Sequence, residues 1–150
     1  MRKLFIYYSL TGNTQVVADF LNESGYEIRK IETKEPLPSN SFLRLLVGGF
    51  KALIGYKDKL INFNNDISSY KDIIIGSPVW NNRLSSPVLS AISNLNLSDK
   101  NVTIVLCSAS GKYKNVIKNV SKKCKNAKII ILKEPKNNVD ASREMLLKNL

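Results

Sequence analysis

Four short, unbroken apolar runs constrain this chain more than anything else in it. Lys3–Tyr8 (KLFIYY), Asp72–Ile75 (DIII), Val102–Leu106 (VTIVL) and Lys128–Leu132 (KIIIL) do not alternate with polar residues, so each strand must be covered on both faces. Between them the period changes to 3.6. Thr14–Glu23 sets Val17, Phe20 and Leu21 on one helical face, and Ser86-Pro87 reads as an N-cap followed by a first-turn proline. Val88, Ala91, Ile92 and Leu95 then supply that helix's core face. Tyr26–Ile31 alternates as a further strand, and Asp140 is placed to cap a last helix running through Leu150. Strands alternating with helices predict an open, doubly wound parallel sheet with helices on both faces. A closed (β/α)₈ barrel needs ~200 residues or more, which this chain does not have. No repeat or linker divides it, so residues 1–150 read as one domain.

What the sequence lacks excludes whole chemistries. It contains no His, which removes Ser-His-Asp and Cys-His catalysis and His-ligated zinc. Its two cysteines, Cys107 and Cys124, form no CxxC pair, so neither a metal site nor a disulfide is expected. Redox chemistry would have to come from a bound organic cofactor. No run approaches the ~18 apolar residues of a membrane span, and the opening Met1-Arg2-Lys3-Leu4 enters a strand without a signal peptide's apolar core. A cytoplasmic location is expected.

Charge is unevenly placed. Residues 1–75 carry ten bases and eight acids, residues 76–150 thirteen and four, for a formal net charge of +11. Lys114, Lys118, Lys122 and Lys125 recur at helical spacing opposite Tyr113, Val116, Ile117, Val120 and Cys124, which describes an amphipathic helix with a solvated lysine face. The same face could steer an anionic partner. Specific nucleic-acid binding is not expected, because no recognition module or interleaving of bases with stacking aromatics is present.

Pro36–Asn65 is the least regular segment. Its apolar stretch Phe42–Ile54, broken by Gly48-Gly49, reads as a crossover helix packed on the sheet, with the glycine pair allowing close approach. A membrane-surface helix or a partner groove are the other readings. Only Arg44 and Lys51 break up the apolar residues, which favours packing.

Ligands of open α/β sheets bind beyond the carboxyl ends of the strands. Three loops lie there. Ser9-Leu10-Thr11-Gly12-Asn13-Thr14 offers hydroxyls, an amide, a permissive glycine and the free N–H groups of a starting helix. It lacks the lysine of a Walker loop and the GxGxxG of a dinucleotide site, so a phosphate monoester suits it best. A ligand-free Ser/Thr-rich helix cap is the plain alternative. Pro78-Val79-Trp80-Asn81-Asn82-Arg83 places the only tryptophan beside polar residues, where an indole can stack on a flat heteroaromatic ring or simply cover the sheet end. Ser108-Ala109-Ser110-Gly111-Lys112-Tyr113 is small enough for close backbone approach, and Tyr113 could flank a ring or belong to the core.

The segments Tyr7–Leu21 (YYSLTGNTQVVADFL) and Ile73–Val88 (IIIGSPVWNNRLSSPV) resemble the signature and middle segment of the flavodoxin family. The resemblance extends over essentially the whole chain. It implies a three-layer flavodoxin-like fold with a five-stranded parallel sheet of order 2-1-3-4-5 and one FMN bound non-covalently. By position, Ser9, Thr11, Gly12, Asn13 and Thr14, with Leu10 between them, would hold the phosphate. Pro78, Val79, Trp80, Asn81, Asn82 and Arg83 would line the isoalloxazine, with Trp80 stacked on it. Ser108, Ala109, Ser110, Gly111, Lys112 and Tyr113 would close the third side. The peptide at Asn81-Asn82 would switch as the flavin N5 gains a proton, a turn for which Asn tolerates the positive φ. The implied role is a monomeric electron carrier between a reductase and acceptor proteins. An FMN-dependent NAD(P)H:quinone-type oxidoreductase shares the same loops. Flavodoxins are usually acidic around the flavin. This chain is basic there, with Lys112 in the third loop and Arg83 in the second, which implies a less negative two-electron potential.

Overall fold

The computed structural model describes residues 2–110 and 114–150. Five parallel strands, β1 (Lys3–Tyr7), β2 (Glu27–Lys30), β3 (Asp72–Trp80), β5 (Asn101–Ser108) and β6 (Lys128–Lys133), lie in the order β2-β1-β3-β5-β6. This is the expected 2-1-3-4-5 arrangement. The two-residue strand β4 (Arg83–Leu84) shifts the numbering and pairs antiparallel with the end of β3. The sheet changes direction of growth at β1, between β2 on one side and β3 on the other.

Strand alternation divides the core in two. Phe5, Tyr7, Ile74, Val105 and Leu132 point to the side covered by α1 (Asn13–Glu23) and α5 (Val139–Lys148), where Val17, Phe20, Leu21 and Leu146 meet them. Leu4, Ile6, Ile73, Ile75, Ile104 and Leu106 point to the side of α3 (Ser86–Ser93) and α4 (Lys114–Lys123), against Val88, Ala91, Val116 and Val120. Isoleucine dominates the central strands because its branched Cβ fits a pleated surface buried on both faces.

Several expected boundaries move. The cap of α3 is Ser85 rather than Ser86, and its side chain makes no capping bond: its hydroxyl lies 3.1 Å from Ser77 Oγ, which also accepts the Ser85 backbone N–H at 3.0 Å. Asn138, not Asp140, precedes α5; Asp140 sits in the first turn, where its charge favours the positive end of the helix. Ile117 is more exposed than its place in the α4 stripe suggests, while Val116, Val120 and Cys124 are buried as expected. Among the described residues no helix is long and apolar enough to cross a membrane.

The largest departure is α2 (Ser41–Ile54). It is the expected crossover helix, capped by the Asn40 side chain, which accepts from Phe42 and Leu43 N–H, and ended by Gly55 at φ 66°. It is not packed through its large residues. Only Gly48 and Ala52 are buried, while Phe42, Leu43, Leu45, Leu46, Phe50, Leu53 and Ile54 are exposed, from 50% at Leu43 to 74% at Leu45. Gly48 explains the inversion. A Cβ there would already lie 3.3 Å from Trp80 Cε3, so the side facing the sheet must be made of the smallest residues.

Gly76 is a second tight point. It pairs with Tyr7 across β1 and β3, and a Cβ there would sit 2.4 Å from Phe5 Cζ and 2.8 Å from Thr14 Cγ2. The Gly76→Ala substitution should destabilise the fold by about 1–3 kcal/mol, the range for overpacking a dense core, read as a lower Tm. Burial pushes the Cys107 thiol up to about 12, partly offset by the neighbouring Thr14 hydroxyl, and raises Cys124 as well. Thiols that ionise only when unfolded contribute stability below the unfolded pKa and lose it above. Denaturant midpoints should therefore fall as pH rises from about 9 towards about 12.

Candidate functional site

Parallel pairing brings the three loops to one edge. Tyr7 lies beside Gly76 and Gly76 beside Val105, so β1, β3 and β5 end close to one another. The first loop then enters α1 through Gly12, at φ 94°, a conformation that costs a residue with a Cβ. Ser9 Oγ accepts the Gln15 N–H at 3.2 Å, and Val16 N–H donates to Gly12 C=O at 3.1 Å. The N–H groups of Thr11, Gly12, Asn13 and Thr14 meet no protein acceptor among the described residues. These are the donors that a helix start leaves for an anion. Thr14 Oγ1 is buried in a residue only 1% exposed and has no hydrogen-bond partner among the described residues, although the Cys107 thiol is near it. An unused buried hydroxyl next to unused amides fits a phosphate group and is poorly explained by a cap alone.

Asn13 has a different task from the other loop residues. Its Nδ2 donates to Thr11 Oγ1 at 3.3 Å, and its Oδ1 accepts the Lys136 N–H at 3.0 Å. The Lys136 side chain passes over Gly12, with Nζ 3.9 Å from where a Cβ would stand. Lys136 carries no site signal in the sequence, since it arrives from the far end of the chain.

The second loop is shorter than its sequence implies. Pro78, Val79 and Trp80 continue β3, and Trp80 pairs with Arg83 to close a two-residue hairpin. Both turn residues have positive φ, 46° at Asn81 and 58° at Asn82, as a type I′ hairpin turn requires. Arg83 Nη1 donates to the Asn81 C=O at 3.0 Å, and Asn119 Nδ2 to the Asn82 C=O at 2.9 Å. Trp80 is only 9% exposed, with Tyr8 edge-on at 5.7 Å between ring centroids and Gly48 against its six-membered ring. The indole thus covers the sheet end while still bordering open space.

That space is a cavity of about 730 Å³, within the range of small-molecule and cofactor sites. Leu10 and Thr11 border it from the first loop, Val79, Trp80 and Asn81 from the second. Its far wall is α2, through Arg44, Leu45, Gly49, Phe50 and Leu53, none of which the loop motifs mark as site residues. Arg44 is the one ionisable group among the lining residues. Behind it, burial raises the Tyr8 phenol, Asp58 adds to the shift and Arg44 opposes it.

Ser108, Ala109 and Ser110 do not border the cavity. Ser108 Oγ instead donates to the Ser110 C=O at 2.8 Å and accepts its N–H at 3.3 Å, folding the loop on itself. Gly111, Lys112 and Tyr113 lie outside the described residues. Ser9, Gly12, Asn13, Thr14, Pro78, Asn82 and Arg83 stand around the cavity without lining it.

No family model matches this sequence, and no curated protein matches it. Solved structures do match in shape. A flavoprotein from Lactobacillus acidophilus NCFM in complex with FMN superposes with a TM-score of 0.70 at 19% identity, over 94% of this chain and 97% of that one. The fold is flavodoxin-like. A protein of the flavoprotein class from Bacteroides eggerthii DSM 20697 gives 0.76 at 19% identity, over 99% and 97%. The WrbA-like flavodoxin from Agrobacterium tumefaciens gives 0.56 at 12%, over 97% and 91%. In the flavodoxin-like frame the cavity stands where strand order reverses, the place at which such sheets take ligands.

The Gly48–Trp80 contact is open to a direct test. Gly48→Leu should lift α2 from the indole, and the emission of the only tryptophan should shift to the red and become more accessible to a soluble quencher. Unchanged emission would mean that α2 is not held there.

Proposed function

We propose that this chain, as one flavodoxin-like domain, binds FMN and passes electrons between a reductase and acceptor proteins. The observation that carries the reading is the pairing of an unused-donor loop, Thr11–Thr14, with a tryptophan-walled cavity at the carboxyl edge of the sheet. FMN, when bound, supplies the one- and two-electron chemistry that a protein without His or paired Cys lacks.

The protein's own residues would bind, orient and shield. The N–H groups of Thr11, Gly12, Asn13 and Thr14 with Thr14 Oγ1 are suited to the phosphate oxygens. Lys136 adds a positive charge that the neutral loop does not have, against the roughly −1.5 to −2 of a phosphate monoester. Trp80, Leu10 and Phe50 would exclude water from the ring. The Asn81-Asn82 turn, held by Arg83 and Asn119, offers backbone groups to a ring edge. With Arg44 in the wall and no carboxylate among the lining residues, a bound flavin would meet a positive field, which favours its reduced anionic form and a less negative two-electron potential.

A second reading has its own observation. The α2 wall is apolar apart from Ser41 and Arg44, so the cavity could also admit an apolar acceptor and the chain act as an NAD(P)H-dependent reductase. Anaerobic stepwise reduction of the purified protein, followed by its visible spectrum, decides. Two separated one-electron steps and slow reaction with NADH or NADPH alone support the carrier. Direct two-electron bleaching by either nucleotide supports the reductase. A colourless protein that takes up no added FMN overturns both. Lys136→Gln should weaken FMN binding by roughly two- to fivefold, as expected for an exposed charge pair, and leave riboflavin binding unchanged. Added salt should shrink that difference.

A further inference from the structure

The outer face of α2 takes no part in the fold. Its seven large apolar side chains, Phe42, Leu43, Leu45, Leu46, Phe50, Leu53 and Ile54, project outwards because Gly48 and Ala52 take the inward positions. Leu45, Leu46, Phe50 and Leu53 reach the cavity, but Phe42, Leu43 and Ile54 do not. Single exposed apolar residues need no explanation; a whole helix face of them does.

Cations predominate around this face, although the exposed Glu32 and Glu35 flank Lys59 where Lys34 N–H bonds the Lys59 C=O and Ile61 N–H the Glu32 C=O. From Pro36 to Asn65 the only acidic residue is Asp58, and it is paired with Lys51 at 2.7 Å. From Ile73 to Ser98 and from Lys100 to Lys133 there is none. A groove beside the carboxyl-terminal half of α2 is bordered by Leu53 and Ile54 on one side and by Arg83, Lys122 and Lys123 on the other. The lysine face of α4 therefore continues the apolar face of α2. Lys57 and Lys59 are exposed just beyond the helix end.

We propose that α2 is a bilayer-docking helix that lies in the surface of an anionic membrane. Phe42, Leu43 and Ile54, the outward residues that do not line the cavity, would enter the boundary between headgroups and acyl chains, while Arg83, Lys122, Lys123 and Lys57 meet lipid phosphates. Fourteen residues make a helix of about 21 Å, too short to span the hydrocarbon but suited to lying along it. Charge separates this occupant from a second copy of the chain. Two copies joined through α2 would bring the same cations together around the apolar contact, each in a protein of formal charge +11. A bilayer offers depth for outward-pointing side chains and negative charge along their flank, without needing a shaped counter-surface. This inference does not rest on flavin binding.

The test is flotation of the full-length protein, with whatever flavin it carries, on phosphatidylcholine vesicles with and without phosphatidylglycerol. Binding is expected on the anionic vesicles and loss of binding on the neutral ones or at high salt. Lys122→Gln and Lys123→Gln should each weaken it by about fivefold, as expected for ~1 kcal/mol per basic residue near a charged surface. The triple variant Phe42→Ser/Leu43→Ser/Ile54→Ser should abolish it while keeping the Tm, since all three side chains are already exposed. No flotation with anionic vesicles overturns the proposal, as does flotation that survives the triple variant. A dimer in light scattering that the triple variant dissociates would show that a second copy covers the face and would also overturn it. So would an acidic protein that binds the face when vesicles do not.

Discussion

The parallel pairing of β1 with β3 is the constraint on which the rest of the molecule depends. It sets Tyr7 against Gly76 and so brings the first and second loops to the same edge. The pairing requires Gly76 to carry no side chain, because the Phe5 ring and the Thr14 methyl occupy the space above it. Thr14 lies in the first turn of α1, so this one missing Cβ also fixes how the start of the helix sits on the sheet and where its free N–H groups point. Core packing and ligand geometry meet at this residue.

On the other face of the sheet the organising contact is Trp80 with Gly48. A large flat ring at the sheet end can be covered closely only by a helix without side chains at the crossing point. The consequence is an inverted helix, small residues inward and large ones outward. Lys51 and Asp58, both mostly buried, fasten its last turns to the following segment, and Lys51 also lies 4.7 Å from the Tyr56 ring centroid. The large cavity exists because α2 stands off from the first loop and approaches the second only at the glycine pair, Gly48 against Trp80 and Gly49 against Asn81.

The strands and most helices were legible because their signals are local: unbroken runs such as DIII and VTIVL, and the periodic faces of α1 and α4. The first loop was legible for the same reason, since free donors at a helix start follow from the chain's order alone. The positive φ of Asn81 and Asn82 also follows from residue type. The outward face of α2 was hidden because its sequence is apolar nearly all round, so periodicity could not tell which side faces the sheet. Its Gly-Gly pair announced close approach, but not that this approach would expel every large residue. Pro78–Trp80 reads as loop because of the proline, yet β3 continues through it; Pro78 still lies beside Cys107 of β5. Lys136 was invisible because it reaches the first loop across 123 positions of sequence.

That long reach bears on how the molecule comes into being. Asn13 and Lys136 join the loop made earliest to the segment that precedes the last helix, and β6, next to β5, is also among the final pieces synthesised. Five strands, β1 to β5, and four helices can leave the ribosome with the first loop already in sequence but without the backbone N–H that holds its Asn13 side chain. A nascent or truncated chain ending before Lys136 therefore lacks both that anchor and the nearby cation. The order of synthesis itself delays completion of the anion-binding loop until nearly the whole protein has been made.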